Sequence, residues 1–304
     1  MKFKLFLIKA SSAILTFLSR MVYAFNRQIP GIKTLVGIRY KKSKSNKNTL
    51  NIYYKPEIKQ RKETNKKLLP IIVYFHGGGW ACYDKSLYNS LCRRLADLGY
   101  VVFNADYRLI PKYRLEDIMQ DAKDAIYYAK DNAYKYGGDG NRVILMGDSA
   151  GAHISSMVSV LACNGNEEFK PLKESIKALG LFYGAYDLNT MIYTEFPHID
   201  VYMNAISSIN DENRHKYFYD FSPVNFITED FPPSFIASGE IDKLHESQTL
   251  VFERELTAKK VKHTNVFFDK TELRAVHAFM TFDGLGTELE VINELTKFLK
   301  EQDL

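Results

Sequence analysis

The chain is short of several things, and each shortage excludes something. Its 304 residues hold one tryptophan and three cysteines. Cys82, Cys92 and Cys163 have neither the paired spacing of a metal site nor the even count of a disulfide framework. Reduced, inert thiols are expected, with no metal and no other cofactor. No stretch reaches the roughly 20 apolar residues that a membrane-crossing helix requires. Near the N-terminus, Lys9 and Arg20 leave only Ala10 to Ser19 uncharged, and no small-residue cleavage site follows to complete an export signal.

Acidic residues are missing locally. Met1 to Lys67 carries 17 Lys and Arg against Glu57 and Glu63 alone, a net +15, while the remainder has 24 basic and 34 acidic residues, a net −10. A basic arm therefore precedes an acidic body. The arm reads either as solvated loops, with Lys41 to Lys47 at the tip of a turn, or as a peripheral contact with anionic membrane. Within it, Ile14, Phe17, Leu18, Met21, Val22 and Phe25 recur at helical spacing, the mark of an amphipathic helix. That apolar stripe is expected to dock on the body. A cytoplasmic protein is expected, with peripheral membrane attachment or export through an atypical signal as alternatives.

What is present has a rhythm. Thr34 to Tyr40 and Leu50 to Tyr54 read as a hairpin around a Lys/Ser/Asn turn. Six short apolar runs follow: Leu69 to Phe75, Tyr100 to Ala105, Val143 to Met146, Ala178 to Tyr183, Ser234 to Ser238 and Asn265 to Phe268. Helix-forming segments alternate with them, at Ser86 to Leu98, Arg114 to Tyr136, Ala150 to Ala162, Glu246 to Lys259 and Glu288 to Lys300. Continuous apolar strands alternating with helices predict an α/β fold with a mostly parallel sheet covered on both faces. Residues 1–304 are read as one such domain. Residues 188–227 break the rhythm with an insertion too long for a plain loop, and with residues 1–30 they are the expected lid.

Two motifs carry the chemistry. Gly147-Asp148-Ser149-Ala150-Gly151 follows an apolar strand and opens a helix, the setting of a nucleophile elbow. Such a turn is tight enough to require glycine on both sides, and it places the serine hydroxyl at the positive end of the helix dipole. His76-Gly77-Gly78-Gly79-Trp80 follows another strand. Acyl transfer builds negative charge on a carbonyl oxygen, which backbone N–H groups must already face. Gly78, Gly79 and Ala150 are the expected donors of that oxyanion hole, with His76, Gly77 and Asp148 supporting the motifs. A plain glycine turn or a phosphate loop is the competing reading, but neither G-x-G-x-x-G nor a Walker lysine follows.

HGGGW, then Asp106-Tyr107-Arg108-Leu109, then GDSAG resemble the hormone-sensitive-lipase-like branch of the α/β hydrolases, from about Leu68 to the C-terminus. The resemblance implies an α/β-hydrolase fold, a carboxylesterase for short and medium acyl esters, and a lid made from the N-terminus and a mid-chain insertion. The family's usual Ala-Pro-Glu after Arg-Leu is replaced here by Ile110-Pro111-Lys112.

The triad partners of Ser149 should follow in the order acid, then histidine. Of seven histidines, His277 lies beyond the last strand, in the loop before the final helix, where a general base belongs. His76 and His153 sit in or behind the two motifs, His198 and His215 lie in the insertion, His263 precedes a strand, and His245 is too close to the best acid. That acid is Asp242, just past the strand SFIASG, with Asp187 as the rival that would otherwise serve as a cap. The expected partner is a small-molecule ester, not nucleic acid. Alternatives on the same scaffold are a formamidase, a carbohydrate deacetylase or a non-catalytic receptor-like protein.

Overall fold

The fold was derived from a computed structural model, which describes residues 2–25, 29–56, 67–206, 213–281 and 286–304. Among these residues the strands are β1 (Lys33–Arg39), β2 (Thr49–Tyr54), β3 (Leu69–Phe75), β4 (Val101–Ala105), β5 (Gly138–Asp148), β6 (Ile176–Phe182), β7 (Ser234–Gly239) and β8 (His263–Phe268). They form one sheet in the order β1-β2-β4-β3-β5-β6-β7-β8. The β1–β2 and β2–β4 pairs are antiparallel and all others parallel. The expected hairpin is thus the antiparallel edge of a parallel sheet.

The helices are α1 (Lys2–Phe25), α2 (Asn89–Asp97), α3 (Leu115–Asn132), α4 (Ala150–Cys163), α5 (Leu188–Met191), α6 (Ile199–Ile206), α7 (Arg214–Asp220), α8 (Leu250–Ala258) and α9 (Thr287–Glu301). Strand periodicity decides which of them cover which face. Along β3, Ile71, Val73 and Phe75 point into a core shared with Ile118 of α3 and Ile154 of α4. Ile72 and Tyr74 point the other way, toward Leu91 and Leu95 of α2 and Leu295 and Phe298 of α9. Every residue of β4 is buried, as befits a central strand covered on both sides.

Three departures have physical causes. β5 extends from Gly138, well before the apolar run, because its polar start pairs with Leu69 and Pro70 of β3. The segment expected to be one helix from Glu246 opens instead as a π-turn, His245–Thr249, before α8 begins. The third concerns α1, whose apolar stripe was expected to pack inward. Ile14, Phe17 and Leu18 are exposed, while Leu5, Ser12 and Thr16 are buried. The side chains of Met21, Val22 and Phe25 lie outside the described residues. The reversed docking follows from chemistry on the other face: the Lys9 ammonium donates to the Ile110 carbonyl at 2.9 Å. There, the small side chains of Ser12 and Thr16 satisfy their hydroxyls on the helix's own carbonyls.

Candidate active site

Ser149 sits between β5 and α4 with φ 49° and ψ −117°, a conformation that a residue bearing a Cβ adopts only under constraint. The constraint is close packing. A Cβ on Gly147 would meet Gly151, and one on Gly151 would run into the carbonyl of Phe75 at the end of β3. The turn is also held by the Ser149 N–H, which donates to the Phe182 carbonyl at 2.9 Å. Ser149 thus stands at the carboxyl ends of parallel strands and at the N-terminus of a helix.

His277 reaches the serine from the loop after β8. Its Nε2 lies 3.0 Å from Ser149 Oγ, and its Nδ1 lies 2.7 Å from Asp242 Oδ2. Asp242 is anchored behind it. Its second oxygen accepts the Leu244 N–H at 3.0 Å, and its side chain is almost wholly buried. The imidazole makes T-shaped contacts with the rings of Tyr183 and Phe196, with centroids 5.0 and 4.6 Å away. The three expected triad residues are therefore in one hydrogen-bonded line. The rival acid Asp187 is engaged elsewhere: its carboxylate caps α5, accepting the N–H groups of Asn189 at 3.0 Å and Thr190 at 3.3 Å.

The glycine loop lies opposite. Gly78 and Gly79 have φ of 118° and 57°, a region where glycine pays no Cβ penalty. Carbonyl Gly78 accepts the N–H groups of Ala81 and Cys82, closing a tight turn. Among the described residues the N–H groups of Gly78, Gly79 and Ala150 have no backbone acceptor. Gly77 differs. Its N–H is committed to Asp148 Oδ1 at 2.8 Å and to Tyr88 Oη at 3.2 Å.

Asp148 is the support that the motif reading named but did not explain. Fully buried, it accepts from Gly77 N–H, from Tyr74 Oη at 3.1 Å and from Tyr88 Oη at 2.8 Å. Those bonds tie the serine turn to the glycine loop through β3. Burial nevertheless pushes its carboxyl up to about 6. Tyr88 was not expected here; it lies at the end of a 3-10 turn (Lys85–Tyr88), and no motif marks it.

The remaining histidines are structural or exposed. His76 is buried and kept neutral by desolvation, stacked on Tyr107 with its Nδ1 2.7 Å from the Gly77 carbonyl oxygen. His153, lowered to about 4 by burial, accepts the Trp80 indole N–H at 3.2 Å. Its Nε2 must then carry the proton donated to the Phe221 carbonyl at 2.7 Å. One imidazole so joins the glycine loop, α4 and the mid-chain insertion. His245 is bonded to Ser238, His263 to the Val261 carbonyl and His215 to Asn189, while His198 is exposed.

Ser149, His277, Gly78 and Gly79 open on a cavity of about 370 Å³. Its cover comes from α1 and the mid-chain insertion: Leu18 of α1, Met191 of α5, Phe196 of the loop that follows and Tyr202 of α6. Among the described residues no group of acidic, histidine or cysteine side chains could hold a metal ion.

Sheet order, elbow and histidine loop define the class: this is an α/β hydrolase. Esterase B from Lactobacillus Rhamnosis superposes with a TM-score of 0.78 at 23% identity, over 97% of this chain and 96% of that one. A Pyrobaculum calidifontis esterase superposes with 0.73 at 22% identity, over 99% and 93%. At such identities the likeness shows the fold. The family is shown by sequence: residues 54–256 match the BD-FAE family, to which the chain belongs. Among curated relatives, Esterase LipC of Mycobacterium tuberculosis (strain ATCC 25618 / H37Rv) is 29% identical over 61% of this chain and 47% of its own length. An Arabidopsis thaliana protein, "Probable isoprenylcysteine alpha-carbonyl methylesterase ICMEL2", is 31% identical over 58% and 40%. The chain spans half or less of the length of these two relatives.

Proposed function

We propose that this protein is a serine carboxylesterase acting on short- to medium-chain esters. The observation that carries the reading is the line Ser149 Oγ, His277 Nε2, His277 Nδ1, Asp242 Oδ2, with spacings of 3.0 and 2.7 Å. The names of the relatives, esterases and a methylesterase, support it. Neutral His277 accepts the serine proton as Oγ attacks the ester carbonyl. The developing oxyanion is met by the N–H groups of Gly78, Gly79 and Ala150, and Asp242 stabilises the imidazolium. His277 then protonates the departing alcohol, and a water repeats the sequence on the acyl-enzyme. Leu18, Leu87, Met191 and Phe196 give the wall an apolar stretch that suits an apolar acyl group, beside the hydroxyls of Tyr83, Tyr202 and Thr281. A volume of about 370 Å³ is at the small end for ligand sites. The same two segments that supply this wall act as the lid.

Ser149→Ala should lower kcat for a chromogenic acetyl or butyryl ester by a factor of about 10⁴ or more while leaving the fold intact. A fluorophosphonate should label Ser149 in the wild-type chain. Labelling of Ser155 or Ser156, or undiminished turnover in the variant, ends the reading.

A further inference from the structure

Helix α1 is packed with its apolar side outward. Phe3, Phe6, Leu7, Ile14, Phe17 and Leu18 are exposed, from 50% at Leu7 to 71% at Phe3. At about 100° per residue these six fall within an arc of roughly 120°. The buried Leu5, Ser12 and Thr16 lie on the opposite side. Six large apolar side chains in one stripe form a surface that water does not favour.

Charge identifies the occupant. Besides Lys9, whose ammonium is engaged with the body, the helix carries Lys2, Lys4 and Arg20 and no acidic residue, and the first 67 residues hold the net +15. A second copy of the chain would bring two such arms together, whereas an anionic lipid surface would neutralise them. Basic residues on a helix with an exposed Phe and Leu stripe suit the headgroup boundary, where such helices lie in the plane of the membrane. Among the described residues no helix is long and apolar enough to cross a membrane, which leaves the in-plane mode. Position adds a consequence. The helix contacts the Lys85–Tyr88 turn and α6, and Leu18, half exposed, also lines the cavity that holds Ser149 and His277.

We propose that α1 is an interfacial helix that seats the protein on an anionic lipid surface, with the opening of the Ser149 cavity at the headgroup level. Esters dissolved in the membrane then reach the serine without crossing water; this second clause rests on the carboxylesterase reading.

The test is co-sedimentation of the full chain with vesicles of phosphatidylcholine, or of equal parts phosphatidylcholine and phosphatidylglycerol, at low and high salt. The protein should pellet with the anionic vesicles only, and less as salt rises, because the attraction is screened. Phe6→Ser with Ile14→Ser should weaken vesicle partition by more than about tenfold. It should leave hydrolysis of a soluble ester unchanged, which also reports the fold. Lys2→Glu with Lys4→Glu, which spares the apolar face, should weaken binding to anionic vesicles by about tenfold or more at low salt. No pelleting at low salt, or equal pelleting of wild type and both variants, overturns the proposal. So does a wild-type dimer in sedimentation velocity that the serine variant abolishes, since the stripe would then be a chain–chain contact. Vesicle binding with no hydrolysis of any ester would uphold the docking and overturn only the enzymatic reading.

Discussion

On one side of the cavity, Gly147 and Gly151 leave no room for a methyl group, and the Ser149 backbone is held in a conformation side chains rarely adopt. On the other side, α1 meets the body through Leu5, Ser12 and Thr16 and leaves six large apolar residues in the open. The Ser149 side is over-determined. Asp148 alone bonds Tyr74 of β3, Gly77 of the loop after it and Tyr88 just before α2, and His153 joins three segments through two ring nitrogens. The covering helix is docked by a long-range hydrogen bond, Lys9 to the Ile110 carbonyl, and by a face of small side chains. Chemistry that depends on sub-ångström placement demands the first kind of construction. Substrate capture tolerates the second.

The sharpest way to break this contrast is to attack the acid. Asp242 and Asp187 both follow strands on the Ser149 side, yet of the two Asp242 alone meets His277. Asp242→Asn should lower kcat by about 10⁴, because the imidazole loses its orienting partner and its counter-charge. Asp187→Asn should change neither stability nor activity much, because an amide oxygen can accept the same N–H groups of Asn189 and Thr190 and keep the cap of α5. Ester kinetics with thermal unfolding of both variants reads the two effects separately. A larger loss of kcat in the Asp187 variant would move the acid to the end of β6.

This contrast also governs how much of the molecule was legible beforehand. The strands around the site were readable because a buried parallel strand must be a continuous apolar run, as in LPIIVYF. The elbow and glycine loop were readable because few residues fit such backbone, so Gly147, Gly151, Gly78 and Gly79 are nearly the only solution. Asp242 and His277 followed from chain order and strand ends. Tyr88 was not readable: a tyrosine in an amphipathic turn looks like any core residue, and only the fold brings it to Asp148 and Gly77. Nor was the direction of α1. Helical spacing identifies a stripe, but what the stripe faces depends on the Lys9 bond to Ile110, 101 residues away.

Asp148 offers a sharper test within the Ser149 side, of intermediate size. Its carboxyl is pushed up to about 6 by burial, so the folded chain binds that proton more tightly than the unfolded chain, whose ordinary value is 3.8. Its contribution to stability therefore declines as pH rises from about 4 through about 6, the reverse of a salt-bridged carboxylate. Activity runs the other way. The ionised group accepts from Gly77, Tyr74 and Tyr88 together, so kcat/KM should fall as the pH drops through about 6 and Asp148 takes up its proton. Asp148→Asn should remove that part of the pH dependence and lower kcat by about tenfold to a hundredfold. A pH profile unchanged in the variant would remove Asp148 from the positioning of the glycine loop.

The smallest effect is expected from the cover, and Phe196 is the place to look because it touches both sides. Its ring lines the cavity and meets that of His277 in a T-shaped contact, with centroids 4.6 Å apart. If the cover serves capture alone, Phe196→Ala should change KM and spare kcat. Truncation opens space beside the acyl group, so longer esters should gain relative to acetyl esters. A contact of one or two methylenes makes a difference of about tenfold in kcat/KM between chain lengths. The lost edge contact, about 1 kcal/mol, loosens an imidazole that Tyr183 and Asp242 still hold. Steady-state constants for a series of chromogenic esters, from acetyl to palmitoyl, separate the two effects. Should kcat for the acetyl ester fall more than about tenfold with KM unchanged, Phe196 belongs to the apparatus that orients His277. The boundary between the exacting side and the permissive one would then run through the insertion, with Phe196 assigned to the exacting side despite its place in the cover.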